Sequence, residues 1–170
     1  ETIVRDIRPD VVGRTVVRAA LSHTDVLRRV TRPTLLRGLA GARVDDLFRR
    51  AKHAVFVMGA RRLVVQPGMT GSLAVHDRPL NEDEARYAVL RATLDDGRTL
   101  VYRDVRRLGT LLWLDARGWS RYDAAVGPDR SLPTKVMPRF LAALAHREAP
   151  VLLDLGPVVG SNVAYFGERL

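Results

Sequence analysis

The sequence predicts an α+β fold: an antiparallel β-sandwich with an N-terminal helix over residues 1–118, followed over 119–170 by the start of an α-helical domain. Three observations predict it. Apolar residues in the first dozen positions recur at helical spacing. Between Thr15 and Leu114, short runs rich in Val, Leu and Thr alternate with turns that contain Gly and Asp. Beyond Trp119 the β-signal fades and a helical period takes over.

Taken in order, Ile3, Val4, Ile7, Val11 and Val12 define one face of a first helix, with an interruption or bend expected near Pro9 and a stop at Gly13. Thr15–Leu21 reads as a strand and Pro33–Leu39 as a short helix. Arg43–Met58 and Arg61–Gln66 flank the turn Gly59-Ala60 and form a hairpin. A second hairpin pairs Tyr87–Leu94 with Thr99–Arg103 across Asp95-Asp96-Gly97, and Thr110–Leu114 adds a further strand. The polar stretch His76–Glu84, with Pro79, reads as a loop, and Arg121–Thr134, with Pro128 and Pro133, as turn-rich. Pro138–His146 and Asp154–Leu170 read as helical segments, the second broken at Gly156-Pro157 and Gly160.

Composition narrows the function. The chain has 170 residues, 46% of them hydrophobic, so it can bury a substantial core. Lys and Arg number 28 against 19 for Asp and Glu, a formal net charge of +9, and the excess is mostly arginine. That balance favours a polyanionic partner, because guanidinium grips phosphate with two parallel donors and displaces condensed counterions. With no cysteine there is neither a disulfide nor a thiolate zinc site. The histidines at 23, 53, 76 and 146 show no metal-ligand spacing, and no serine has a His and Asp arranged by motif. No uncharged run is long enough to span a bilayer and the beginning is no signal peptide, so a cytoplasmic protein without a membrane partner is expected.

Two segments carry the chemistry. Gly68-Met69-Thr70-Gly71 and Asp104-Val105-Arg106-Arg107-Leu108-Gly109 each follow a strand signal and end in glycine. Glycines beside a methionine let the backbone turn sharply and offer the thioether outward. An apolar probe with an arginine beside it suits DNA, where proteins push such wedges into a base stack and fill the space of a flipped nucleotide.

These segments, with four others in order, resemble the bacterial formamidopyrimidine-DNA glycosylase and endonuclease VIII family of base-excision repair enzymes. Glu1–Pro9 resembles the continuation of that family's N-terminal signature, and Phe48-Arg49-Arg50-Ala51-Lys52-His53 its strand with a catalytic lysine. Gln66–Leu73 resembles the void-filling methionine loop and Asp104–Gly109 the arginine loop. Val126-Gly127-Pro128-Asp129 is similar to the lead into the helical domain, and Val158-Val159-Gly160-Ser161-Asn162 to its helix-two-turns-helix segment.

The resemblance implies a bifunctional glycosylase and abasic-site lyase that flips oxidised bases out of duplex DNA, acting as a monomer in the bacterial cytoplasm. Lys52 would be the catalytic residue, protonating or orienting the leaving base or opened sugar; Met69, Arg106 and Leu108 would fill the void; Arg107 and Asn162 would contact phosphate. The family's nucleophile, an N-terminal proline amine next to a glutamate, would immediately precede Glu1, so the chain as written is expected to be inactive. No cofactor is expected within the chain, and the family's structural zinc would belong to a finger beyond Leu170. Some positions depart from the family: Gln66 replaces a usual His, Leu108 a usual Phe, Tyr87-Ala88-Val89 a His-Asp-His, and Gly160-Ser161-Asn162 shortens a Gly-x-Gly-Asn. A non-catalytic damaged-DNA-binding protein of the same fold is the alternative; an RNA-associated domain lacks the aromatic strand motif it would need.

Overall fold

The computed structural model describes residues 2–127, which form two four-stranded antiparallel sheets with helices at their margins. In chain order the elements are α1 (Thr2–Val11), β1 (Val16–Leu21), α2 (Arg32–Leu39), β2 (Asp46–Arg50), β3 (His53–Met58), β4 (Arg61–Gln66), β5 (Gly71–His76), α3 (Glu82–Arg86), β6 (Ala88–Leu94), β7 (Thr99–Asp104), β8 (Thr110–Leu114) and α4 (Ala116–Val126). One sheet has the order β1-β6-β7-β5 and the other β2-β3-β4-β8. The predicted α+β sandwich with a leading helix is the fold observed.

The alternation in the strands explains why two sheets stack. In β6, Leu90, Ala92 and Leu94 are buried while Arg91 and Thr93 between them are only half-buried. In the second sheet, β3 and β4 bury Phe56, Leu63 and Val65 towards the same core. Tyr102 and Phe56 are the largest side chains with essentially no exposure. Burying an aromatic of that size contributes about 1.5–3 kcal/mol.

The two sheets are joined at one margin by α1, which packs on β5 of one and β2 of the other. Ile7 and Val11 supply its buried face. Two arginines fasten it: Arg8 donates to Asp46 at 2.7 Å and to the Leu47 carbonyl at 3.3 Å, and Arg98 reaches the side chain of Asp10 and, at 3.0 Å, its carbonyl. The helix runs through Pro9 instead of stopping there; the carbonyl of Arg5 that loses its donor belongs to an exposed residue.

Several elements differ from the sequence expectation. Arg43–Met58 is not one strand: it folds back at Ala51-Lys52, where Ala51 takes φ +52°. The chain continues past the methionine loop as β5, which pairs with β7. The expected loop His76–Glu84 ends in α3, whose N-cap Asn81 and Glu84 satisfy each other's backbone in a capping box. Residues 121–126, expected to be turns, complete α4, so a helix that starts before the expected 118/119 division runs past it. Its N-cap Asp115 accepts from the Gly118 amide at 2.7 Å. Pro138–His146, Asp154–Leu170 and the helix-two-turns-helix segment lie outside the described residues.

Gly38 shows how tightly α2 is set. A Cβ there would come within 2.7–2.8 Å of the buried indole of Trp113. In an ordinary helix Gly→Ala raises stability by up to about 1 kcal/mol; here the sign should reverse. Gly38→Ala is expected to destabilise the protein by about 1–3 kcal/mol, the usual cost of overpacking, read by thermal or denaturant unfolding. An unchanged or higher midpoint would mean that Trp113 moves aside freely.

Candidate nucleic-acid interface

The loop Pro67–Thr70 between β4 and β5 and the loop Val105–Gly109 between β7 and β8 lie side by side. A Cβ on Gly68 would sit 3.0 Å from the Gly109 nitrogen and 3.1 Å from the Leu108 Cβ. Gly109 has no room for a side chain either: its Cβ would collide with the Tyr102 hydroxyl and lie 2.5 Å from the Gln66 carbonyl. Glycine at these positions permits the contact between the loops.

One carboxylate organises both. Asp104, the last residue of β7, is 1% exposed and is the buried charged residue of the described core. Its Oδ1 accepts from the Thr70 hydroxyl at 2.7 Å and the Arg107 amide at 3.0 Å; its Oδ2 accepts from the Tyr102 hydroxyl at 2.9 Å and the Gly109 amide at 2.8 Å. Thr70 then accepts from the Arg106 amide at 3.3 Å, closing a chain of bonds across the two loops. Burial alone would raise the Asp104 pKa, but the donors from Thr70, Gly109, Tyr102 and Arg107 outweigh it and hold the carboxyl below its ordinary value. The Tyr102 hydroxyl, buried and donating to that anion, is shifted upward.

What this scaffold presents is apolar and cationic. Met69 is 90% exposed, Leu108 54% and Val105 48%, so three of the four exposed large hydrophobic residues among those described stand on the two loop tips. Arg106 is exposed, and its guanidinium has no hydrogen-bond or ion-pair partner among the described residues. Arg107 is held differently: it adopts φ +52°, pairs with Asp25 at 3.0 Å and contacts His23 Nδ1 at 3.3 Å. Four of the predicted DNA-facing residues therefore come together, but Arg107 is braced against the segment before α2. Asn162 lies outside the described residues.

Lys52 stands apart from the tips. It is exposed, in the β2–β3 turn and not on a strand, and it borders a cavity of about 250 Å³ shared with Ile3, Val4, His53, Pro67 and Leu73. The cavity thus joins the first turn of α1, the lysine turn and the root of the methionine loop. His53 next to it is pushed below its ordinary pKa, mainly by burial and further by the Lys52 charge, against a bond with Gln66 that raises it. Behind it, the Tyr122 hydroxyl of α4 hydrogen-bonds His53 Nδ1, and burial pushes that phenol up to about 12. Trp119 packs edge-on to Phe48 with ring centres 5.9 Å apart, and Arg50 pairs with Asp123 at 2.5 Å, so α4 is seated on β2 beside the lysine turn. Sequence reasoning did not single out Asp104, His53 or Tyr122.

Among the described residues no group of three or more His, Cys, Asp or Glu side chains could hold a metal ion. No described helix is long and apolar enough to cross a membrane.

The two-sheet sandwich holds its paired loops so that their apolar tips stand beside the exposed Arg106. Residues 1–111 match the model of the formamidopyrimidine-DNA glycosylase N-terminal domain. The formamidopyrimidine-DNA glycosylases of Geobacter sulfurreducens and Chloroflexus aggregans are 33% and 34% identical over the whole of this chain, and that of Stenotrophomonas maltophilia strain R551-3 is 35% identical. The fold matches the crystal structure of Lactococcus lactis formamidopyrimidine DNA glycosylase bound non-covalently to DNA containing an AP site, with a TM-score of 0.64 at 21% identity, over 73% of this chain and 46% of that one. The chain belongs to the formamidopyrimidine-DNA glycosylase family, and it spans 62–63% of the length of these curated relatives.

The Asp104 network sets a pH dependence. Because the folded carboxyl titrates below its unfolded value near 3.8, its stabilisation is complete above that pH and is lost as pH falls through the folded value. Asp104→Asn, which cannot accept all four bonds, is expected to cost about 2 kcal/mol or more at neutral pH and to flatten the acid limb of stability below pH 3.8. Chemical denaturation of the two proteins from pH 7 to pH 2.5 reads both; parallel acid limbs would show that the carboxylate is not the titrating anchor.

Proposed function

We propose that this chain is the lesion-engaging part of a DNA glycosylase with abasic-site lyase activity, removing oxidised bases from duplex DNA by flipping them. The observation that carries the reading is the pair of loops bound to one buried carboxylate, with Met69 almost fully exposed at the tip. Exposed methionine has no folding rationale, since burying it would contribute about 1.5–3 kcal/mol; inside a duplex it recovers that contact. Extruding a nucleotide costs a few kcal/mol of stacking and pairing. Met69 and Leu108 entering the vacated space offset part of it, and Arg106 supplies donors to the orphaned base. Leu108 can wedge but not stack as an aromatic would.

Lys52 and its cavity supply the chemical half. The family mechanism that the resemblance implies begins with an N-terminal proline amine. It attacks the sugar carbon that carries the damaged base; the carbon–nitrogen bond to the base breaks, and a Schiff base follows. The first turn of α1, at Ile3 and Val4, borders the same cavity as Lys52, so an amine just before that turn and the lysine would reach one flipped nucleotide from two sides. Lys52 then donates a proton to the departing base or opened ring oxygen. His53, kept neutral beside it, adds no competing positive charge. The protein acts as a monomer on duplex DNA in the bacterial cytoplasm.

Borohydride reduction on abasic duplex, with protein carrying the residues encoded upstream of Glu1, should trap a covalent adduct, and Lys52→Ala should slow its formation. No adduct would leave a non-catalytic damaged-DNA binder. In the same protein Met69→Ala is expected to weaken binding to abasic duplex about tenfold, the value of one buried side chain, and to change binding to intact duplex little. Equal losses on both duplexes would reduce Met69 to a structural residue.

A further inference from the structure

The outer face of the β1-β6-β7-β5 sheet carries a second cationic site that the wedge loops do not use. On the antiparallel pair β1 and β6, Arg18 lies opposite Thr93 and Ala20 opposite Arg91, so both guanidinium groups leave the sheet on one side. They line a cavity of about 360 Å³ with Thr93 and Thr99, while Leu80 and Ala85 from the segment around α3 form its apolar wall. Among the described residues no carboxylate lines it. Thr99 begins β7 and Asp104 ends it, so the cavity and the wedge loops are roughly 17 Å apart along that strand at about 3.3 Å per residue.

The donors there are underused. Arg18 has no hydrogen-bond or ion-pair partner among the described residues. Arg91 donates one bond, to the Ala85 carbonyl at 3.1 Å, while its Nε is buried with no partner. Buried donors are nearly always satisfied, and a guanidinium offers five N–H groups. Two cations and two hydroxyls on one concave surface, without a counter-carboxylate, form a donor set that an anion with several acceptor oxygens would satisfy.

We propose that this cavity is a phosphate-binding site, with Arg18 and Arg91 taking the phosphate oxygens, Thr93 and Thr99 adding hydroxyl donors, and Leu80 and Ala85 contacting the body of the ligand. The phosphate comes either from a free phosphomonoester or from the backbone of a second DNA segment, away from the one the wedge enters. The site does not depend on the glycosylase reading.

Amide NMR titration of the whole chain tests it. Four probes at matched ionic strength serve: inorganic phosphate, deoxyadenosine monophosphate, deoxyadenosine, and a short duplex without terminal phosphates. Saturable shifts at the amides of Ala20 and Thr93 with inorganic phosphate and the monophosphate, but not with the nucleoside, identify a free phosphomonoester as the ligand. The same shifts with the duplex and not with the small phosphates identify the backbone. In either case Arg18→Ala, an exposed change with no internal bond to lose, should weaken the binding at least about tenfold, as for loss of a charge-assisted contact. Absence of saturable shifts at these strands, or an affinity unchanged by Arg18→Ala, would overturn the proposal.

Discussion

The functional end of this sandwich depends on one buried carboxylate. Asp104 sits at the point where β7 leaves the sheet, opposite Gly71 where β5 enters it. Taking an anion out of water costs several kcal/mol unless donors replace the lost solvent. Here hydroxyls from Thr70 and Tyr102 and amides from Arg107 and Gly109 do so. Because the donors come from both loops, neither loop can move away without leaving the charge unsatisfied. Gly68 and Gly109 extend the same constraint: a Cβ on Gly68 would crowd the Leu108–Gly109 backbone, and one on Gly109 would collide with the Tyr102 hydroxyl. With the base of each loop held this way, Met69, Arg106 and Leu108 can project at the tips without collapsing onto the protein.

A second set of contacts places the lysine. The β2–β3 turn is bounded on one side by α1, fastened through Arg8 and Asp10, and on the other by α4, fastened through Arg50 and the rings of Trp119 and Tyr122. Lys52 is exposed between two braced helices, at the rim of a cavity that reaches the methionine loop at Pro67. The methionine loop and the lysine turn thus border one cavity. The family match over residues 1–111 covers both parts of this arrangement.

Much of this was legible in the residues, and the exceptions have physical causes. Val-rich strands, the Asp-Asp-Gly turn and the two glycine-bounded loops are local signals, and they fell where expected. The turn at Ala51-Lys52 was missed because alanine rarely takes a positive φ and no Gly, Pro or Asn marks the reversal. The end of the expected loop His76–Glu84 hid a helix whose Asn81-x-x-Glu84 capping box was present in the sequence but had no buried face behind it to support a helical period. The role of Asp104 could not be read from its own segment, since the donor that ties in the other loop, Thr70, lies far away in the sequence. The pairing of Arg107 with Asp25 joins segments far apart in the chain, so no local signal marks it.

Asp104 ties the two loops into one unit. A double-mutant cycle of Asp104→Asn and Met69→Ala, measured as affinity for a duplex with a single abasic site, tests it most directly. If the carboxylate holds the methionine in place, the double variant should lose little more than the worse single variant, because Met69 contributes nothing once its loop is released. Losses that simply add would show that the loop keeps its position without Asp104.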